Sequence, residues 1–207
     1  MYQKLRTFLS SARFTSNPIA QLRVYSELSD FRHGSEVEAN GLIDKFYMSQ
    51  RKLPITIDKK GYAIAKDTSR GYYHEWGKKF PDLFYDSPFA FVLTYNDPAL
   101  EDTDKGIACT SFEIDGKHAI RITQLQGKLG KKYALLPIRW EKMFVRLVEE
   151  WATKMGAKEL RISTAESNFW RLSIRSENGQ RRYDTTAEEM GFKRSGEFYS
   201  ANLPLPD

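Results

Sequence analysis

The chain has 207 residues, a formal net charge of +5 and 41% hydrophobic residues, enough for one folded domain with a substantial core. Its single cysteine, Cys109, excludes an intramolecular disulfide, and no apolar run approaches the ~20 residues of a membrane helix. The first residues lack the apolar segment of a signal peptide, so we expect a cytoplasmic protein without membrane contact. The scattered histidines and lone cysteine give no zinc-like spacing, and no metal is expected.

Helical patterns dominate the first fifty residues. Apolar side chains recur at helical spacing over 19–33. Ser35 and Glu38 form a capping box, which predicts a further helix ending near Gln50. We therefore expect residues 1–54 to be a helical segment packed on the remainder of the chain in one compact unit.

The following residues are rich in β-forming side chains. Two short strands at 55–57 and 62–65, around a turn that contains glycine, predict a hairpin. Three longer strands are predicted at 89–95, 107–114 and 118–126. Asp115-Gly116 is a tight-turn signal that makes the last two of them antiparallel neighbours.

A long helix separates the strand at 118–126 from another strand at 159–164. Apolar side chains recur on one face over 138–155, and we expect this face to bury four of them against the sheet, Phe144, Leu147, Val148 and Trp151. Two strands joined by a helix are usually parallel with a right-handed crossover. A short helix over 183–190 and one or two final strands over 192–203 are predicted to end the fold.

Positive charge concentrates around this crossover. Residues 117–146 contain one acid and eight cations, which are Lys117, Arg121, Lys128, Lys131, Lys132, Arg139, Lys142 and Arg146. The net charge of +7 lies beside a helix N-terminus, where unpaired N–H groups attract anions. The pattern favours a phosphate-bearing ligand, and a solvated basic face is the alternative.

The order of elements resembles the GNAT superfamily of acyl-CoA-dependent N-acyltransferases over about residues 88–203. The resemblance is carried by the turn Gln126-Gly127-Lys128 between strand and long helix, and by the ending Ala187-Glu188-Glu189-Met190-Gly191-Phe192 before a strand. It implies an α/β fold of the α+β kind, with a mixed, mostly antiparallel sheet and a central β-turn-α-β crossover. The GNAT-like domain would span 55–207.

The same resemblance implies acetyl-CoA or another acyl-CoA as co-substrate, with an amine as acceptor. The pantetheine would lie against the splayed fourth strand of the family fold, and the diphosphate would sit on the turn after it. The implied binding residues are Leu125, Gln126, Gly127, Lys128, Gly130, Lys131, Lys132 and Asn168. We expect the lysine side chains of this turn to be exposed.

Direct acyl transfer needs three kinds of group. Backbone N–H groups near Leu125 would stabilise the thioester oxygen. Glu113 and Glu166 are candidates for the base that deprotonates the amine, and Tyr183 is the candidate acid for the leaving thiolate.

A binding protein without catalysis remains open as a second reading. The second glycine of the turn, Gly130, stands one residue later than in the family pattern. The basic cluster could form a surface that binds nucleic acid or another phosphate ligand. Five further arginines could extend this surface: Arg161, Arg171, Arg175, Arg181 and Arg182. An interaction scaffold without a ligand is a third reading, because a fold does not fix a function.

Overall fold

The computed structural model describes residues 28–48, 57–70, 75–96, 105–116, 118–167 and 177–206. Its strands are β1 Glu36–Val37, β2 Tyr62–Thr68, β3 Glu75–Trp76, β4 Phe84–Tyr85, β5 Phe89–Tyr95, β6 Gly106–Asp115, β7 Ala119–Gly127, β8 Glu159–Ser163, β9 Lys193–Ser195 and β10 Phe198–Asn202. Its helices are the described end of α1 at 28–33, α2 Asn40–Phe46, α3 Lys132–Leu135, α4 Trp140–Lys154 and α5 Glu177–Glu189.

Among the described residues, eight strands form one sheet in the order β1-β2-β5-β6-β7-β8-β10-β9, and β3 pairs with β4 separately. Neighbouring strands of the large sheet are antiparallel except β7 and β8, which are parallel and joined through α4. The predicted fold class is therefore confirmed, and so are the three antiparallel strands that precede the crossover.

Local sequence accounts for the central strands. Six of the seven residues of β5 are buried, as expected for a strand with strands on both sides and cover on both faces. Gly116 has φ of +71°, the left-handed conformation that glycine adopts without strain, and this allows the turn from β6 into β7. The Asp115-Gly116 prediction is thus confirmed by the antiparallel pairing of β6 and β7.

The helices pack on one face of the sheet in a continuous core. The predicted face of α4 is confirmed, since Phe144, Leu147, Val148 and Trp151 are all buried. Phe31 of α1 contacts the same core, with its ring centroid 5.6 Å from that of Trp151. The opposite face carries a smaller apolar cluster, in which side chains from the β3–β4 region cover the middle of the sheet. The members of this cluster are Ala65, Phe80, Leu83, Tyr85, Ala90, Val92 and Cys109.

The helix predicted from Ser35 to Gln50 is wrong at its start. Glu36 and Val37 form β1, where Val37 pairs with Ile64 at the edge of the sheet, and α2 begins only at Asn40. The Ser35 hydroxyl donates to the Asp30 carbonyl at 3.3 Å, so it does not cap a helix. Pairing with β2 satisfies the backbone hydrogen-bonding groups of β1 and overrides the local capping signal, as tertiary contacts often override propensity.

The limits of several other helices and strands also differ from the predicted ones. The long helix begins at Trp140, two residues later than predicted, because the separate short helix α3 precedes it. The last helix is longer than predicted and starts at Glu177. The second arm of the predicted hairpin is part of β2, whose described partners are β1 and β5; most of the first arm lies outside the described residues.

None of the helices in the described part of the chain is both long and apolar enough to cross a membrane.

Candidate active site

The parallel strands β7 and β8 separate part-way along their length. Their pairing runs from Ala119 opposite Glu159 to Ile122 opposite Ile162 and then stops. Strand β7 continues to Gly127 along β6, whereas β8 ends at Ser163. The stretch 123–127 therefore lacks a strand partner on the β8 side, and its backbone groups there face a cleft between the two strands.

A bulge at Thr123 marks the beginning of this cleft. At that point β7 has one residue more than β6, beside Ser111. The Thr123 hydroxyl lies 2.6 Å from the Ser87 hydroxyl and 3.1 Å from that of Ser111, which holds the extra residue on the face opposite the main core. As a result Ile122 and Leu125 both reach the main core.

Helix α5 supplies the side chain that meets β7 in the cleft. The Leu125 N–H donates to the Tyr183 hydroxyl oxygen at 3.0 Å. Both residues are deeply buried, with 3% of Leu125 and 5% of Tyr183 exposed. The structure thus brings together the predicted thioester-oxygen donor and the predicted acid. A carbonyl oxygen can use this N–H only after the phenol has moved away.

The glycine turn after β7 is covered by the chain itself. A Cβ atom on Gly127 would lie 2.8 Å from Leu135 Cδ1 and 3.3 Å from Trp140 Cζ2, so apolar side chains contact this glycine directly. Gly130 has φ of +84° and open space where a Cβ would be. Between them, Leu129 is 98% exposed.

The three lysines of the turn have different environments. The Lys128 ammonium forms an ion pair with Asp82, and Lys132 is exposed. Lys131 is only 7% exposed. The expectation that all three are exposed is therefore wrong for Lys131 and also for Lys128, whose side chain is 19% exposed. At Lys131 the chain turns into α3, and the Ala134 and Leu135 N–H groups donate to its carbonyl.

An ion pair and a ring contact connect α5 to the start of α4. The Arg182 Nε donates to Glu141 Oε1 at 3.1 Å, and the Arg182 guanidinium carbon lies 5.1 Å from the centroid of the Trp140 ring. Burial raises the pKa of the Glu141 carboxyl, and the charge of Arg182 opposes that rise. These contacts hold α5, and with it Tyr183, against the cleft.

Comparison with known proteins adds weak likenesses of fold. No protein-family model matches the chain, and no curated protein matches it. A candidate N-acetyltransferase from Lactobacillus plantarum is 16% identical, with a TM-score of 0.32 over 57% of this chain and 70% of that one. A candidate acetyltransferase from Staphylococcus epidermidis ATCC 12228 is 11% identical, with a TM-score of 0.32 over 56% of this chain and 67% of that one.

The topology agrees with what the sequence resemblance implies. Antiparallel strands lead into β7, a helix crosses to the parallel strand β8, and these two strands diverge beside α5. The described residues therefore have the mixed, mostly antiparallel sheet with a β-turn-α-β crossover that the resemblance implies. The sequence resemblance would place an acyl donor in the cleft between β7 and β8.

The two candidate bases occupy different parts of the fold. Glu113 lies on β6, is buried, and accepts hydrogen bonds from the Arg121 guanidinium, including one from Nε at 3.0 Å. Glu166 lies just beyond the end of β8 and pairs with Arg194 at 3.0 Å, with 70% of its side chain exposed. Asn168 lies outside the described residues.

Gln126 has an exposed side chain at the edge of the cleft strand. Its Oε1 accepts a hydrogen bond of 2.6 Å from the buried amide of Gln124. The Gln124 amide also donates to the Phe84 carbonyl at 3.0 Å, so β7 is tied to β4 on this face. The predicted binding residue Gln126 is therefore already part of a polar network on the face opposite α5.

Acidic partners, two of them near in sequence and two distant, neutralise part of the basic cluster. The pairs are Arg121 with Glu113, Lys128 with Asp82, Lys142 with Glu189 and Arg146 with Glu149. Arg161 likewise pairs with Glu159 and Asp115, while Arg171 and Arg175 lie outside the described residues. The structure therefore does not favour a continuous surface that tracks a nucleic-acid backbone.

Sequence reasoning missed two features of the site. The bulge at Thr123 has no marker in a single sequence, because its hydrogen-bond partner Ser87 lies 36 residues away. The contact of Trp140 with Arg182 beside Gly127 is the second feature, and neither the apolar spacing of the helix nor the positive charge indicates it. Only the glycine itself signalled a close approach there.

Proposed function

We propose that this protein transfers an acyl group from acetyl-CoA or a longer acyl-CoA directly to an amine acceptor, in the cleft between β7 and β8. The observation that carries the proposal is the hydrogen bond from the Leu125 N–H to the Tyr183 hydroxyl, 3.0 Å long, where the two strands diverge. Acyl transfer needs a fixed N–H donor for the carbonyl oxygen and an acid for the leaving group. These two groups meet here in a buried position.

The thioester end of an acyl-CoA fits these residues, because a buried N–H without a strand partner and a phenol lie side by side. When bound, the thioester supplies the activated acyl group. The Leu125 N–H would then donate to the carbonyl oxygen, where negative charge grows during attack. Tyr183, displaced from that N–H, would hold its O–H ready to protonate the departing sulfur.

Glu113 and Glu166 remain our candidates for the base. Glu113 is buried on β6, and its pairing with Arg121 keeps the carboxylate in place. Glu166 follows the end of β8 beside the cleft, where the Ala165 N–H donates to Asp184 of α5 at 3.1 Å. Because the two carboxylates lie in different places, loss of transfer in only one of the variants Glu113→Gln and Glu166→Gln would identify the base.

We also propose that residues 1–54 and 55–207 form one compact unit that acts in the cytoplasm. Its only cysteine, Cys109, is fully buried, and burial raises the pKa of that thiol above its usual range. A reduced, unreactive cysteine suits a reducing compartment.

The test is calorimetry with acetyl-CoA and longer acyl-CoAs, followed by a thiol-release assay with a panel of amines. Because Cys109 is buried, the folded protein should contribute no thiol signal. We expect Tyr183→Phe to retain acyl-CoA binding and to lower kcat by roughly 10²–10⁴-fold, the usual contribution of an acid–base group. Tyr199→Phe is the matched control, since its hydroxyl meets Glu188.

If the parent protein binds no acyl-CoA at millimolar concentration, the proposed transfer is wrong. A short RNA is titrated in parallel, and binding of RNA without binding of any acyl-CoA would replace the enzyme by a nucleic-acid-binding module.

A further inference from the structure

Gly127 is explained by packing within the protein. The position of its absent Cβ lies 2.8 Å from Leu135 Cδ1 and 3.3 Å from Trp140 Cζ2. A side chain at this position would collide with α3 and with the first residue of α4. These apolar groups fill the space on the Cβ side of Gly127, so the glycine is needed here without any ligand.

Gly130 is explained by its backbone conformation. Its φ of +84° lies in the left-handed region that residues with a Cβ rarely adopt. Open space surrounds its α-carbon, so no close neighbour requires the absence of a side chain. The turn geometry alone therefore accounts for the second glycine of the loop.

The lysines of the turn are also used by the fold. Lys128 pairs with Asp82, and its N–H extends the sheet by donating to the Ile107 carbonyl at 2.8 Å. Lys131 is buried. A phosphate at this turn would have to take the Lys128 ammonium from a carboxylate that already neutralises it, which leaves little net gain.

The nearest arginine has partners of its own. Arg182 lies against Gly127, with its Nη1 atom 3.8 Å from the position of the absent Cβ. Its charge is balanced by Glu141 at 3.1 Å, and its guanidinium covers the Trp140 ring. The positive charge seen in the sequence around this turn is thus largely balanced inside the protein.

We infer that the acyl donor is recognised through its acyl-pantetheine arm, and that the turn at 127–132 is a packing element and does not bind the diphosphate. This inference rests on the proposed function. The thioester end of the cleft has an N–H and a phenol at Leu125 and Tyr183, whereas the turn has apolar contacts at Gly127 and an ion pair between Lys128 and Asp82. The substrate class is then a pantetheine thioester, and the nucleotide adds little to affinity.

The experiment compares acetyl-CoA with S-acetyl-pantetheine, which lacks the diphosphate and the adenosine 3′-phosphate, by calorimetry on the full chain. One charge-assisted contact is worth about tenfold in Kd or more. We expect the two Kd values to differ by less than that tenfold. A preference for acetyl-CoA above about tenfold overturns the inference and leaves the proposed transfer standing. If neither thioester binds, the proposed transfer and the inference fail together.

Two lysine variants test the role of the turn directly. Lys132→Ala removes its exposed cation and should leave the Kd of acetyl-CoA unchanged within the same limit. Lys128→Ala should lower the thermal midpoint and spare binding, because the ion pair with Asp82 is partly buried. Lys59→Ala is the matched control, since its pair with Asp44 is about half exposed and should contribute little. A tenfold loss of acetyl-CoA binding in either turn variant, without a lower midpoint, would overturn the inference.

Discussion

Replacing Tyr183 by phenylalanine removes one oxygen atom from the centre of the candidate site. The Leu125 N–H, 3.0 Å from that oxygen, then loses its acceptor. Strand β8 cannot replace it, because pairing between β7 and β8 ends at Ile122. Water cannot easily replace it either, since Leu125 is 3% exposed.

The expected loss of stability follows from this burial. A buried donor left without an acceptor costs about 1–3 kcal/mol. For a domain of about 150–250 residues, each kcal/mol lowers the melting temperature by about 2–4 °C. Tyr183→Phe should therefore lower the melting temperature by roughly 2–12 °C. The same change frees the Leu125 N–H for a carbonyl oxygen, so thioester affinity should stay equal or improve.

The assay is urea unfolding followed by tryptophan fluorescence, with thermal unfolding in parallel. Tyr199→Phe is the control, because the Tyr199 hydroxyl meets the exposed Glu188 carboxylate at 3.1 Å, and water can solvate that carboxylate after the change. If Tyr183→Phe costs no more than Tyr199→Phe, the hydrogen bond in the cleft does not have the importance that we assign to it. If it weakens thioester binding, the phenol does not compete for the N–H.

Two further predictions concern the core and the α4–α5 contact. Phe144→Ala should cost about 3–5 kcal/mol in the free energy of unfolding, as large-to-small changes in a core do, whereas Leu136→Ala at an exposed position should stay near 0.5 kcal/mol. Equal losses for the two would mean that the α4 face is wrong. Burial raises the folded-state pKa of Glu141, so the folded state binds its proton more tightly than the unfolded state does. The cost of ionising Glu141 is therefore present above the folded-state pKa and is relieved as the pH falls through it. Urea unfolding between pH 7 and pH 4 should show the parent gaining stability relative to Glu141→Gln as the pH falls. If the free energies of unfolding of the two proteins change with pH in parallel, the pKa of Glu141 is not raised in the folded state.

The sequence determined the strands and the crossover because their signals are local. The strand at 89–95 has the predicted limits, and Asp115-Gly116 makes the predicted turn. The long helix shows its buried face in its apolar spacing, and Phe144 is buried as expected. In each case the hydrophobic period or the turn residue specifies the element without help from distant residues.

The capping box at Ser35 shows where such local reasoning fails. Ser35 and Glu38 have the residue types and spacing of a capping box, yet the edge of β2 offers Val37 a strand partner. The Lys66 N–H donates to the Ser35 carbonyl at 2.9 Å, which extends the pairing beyond β1. A partner that lies about thirty residues away cannot be read from the capping motif.

The sequence by itself determined the class of fold and the parallel crossover, because spacing and turn chemistry are properties of short segments. Leu125 and Tyr183 are candidates only through the resemblance to the GNAT superfamily. Only the tertiary structure decided that these two residues meet at 3.0 Å, that Lys131 is buried, and that Lys128 belongs to Asp82. The physical reason is that contacts and ion pairs join groups far apart in sequence. A cluster of positive charge in the sequence becomes a positive surface only where the fold brings no carboxylate to it.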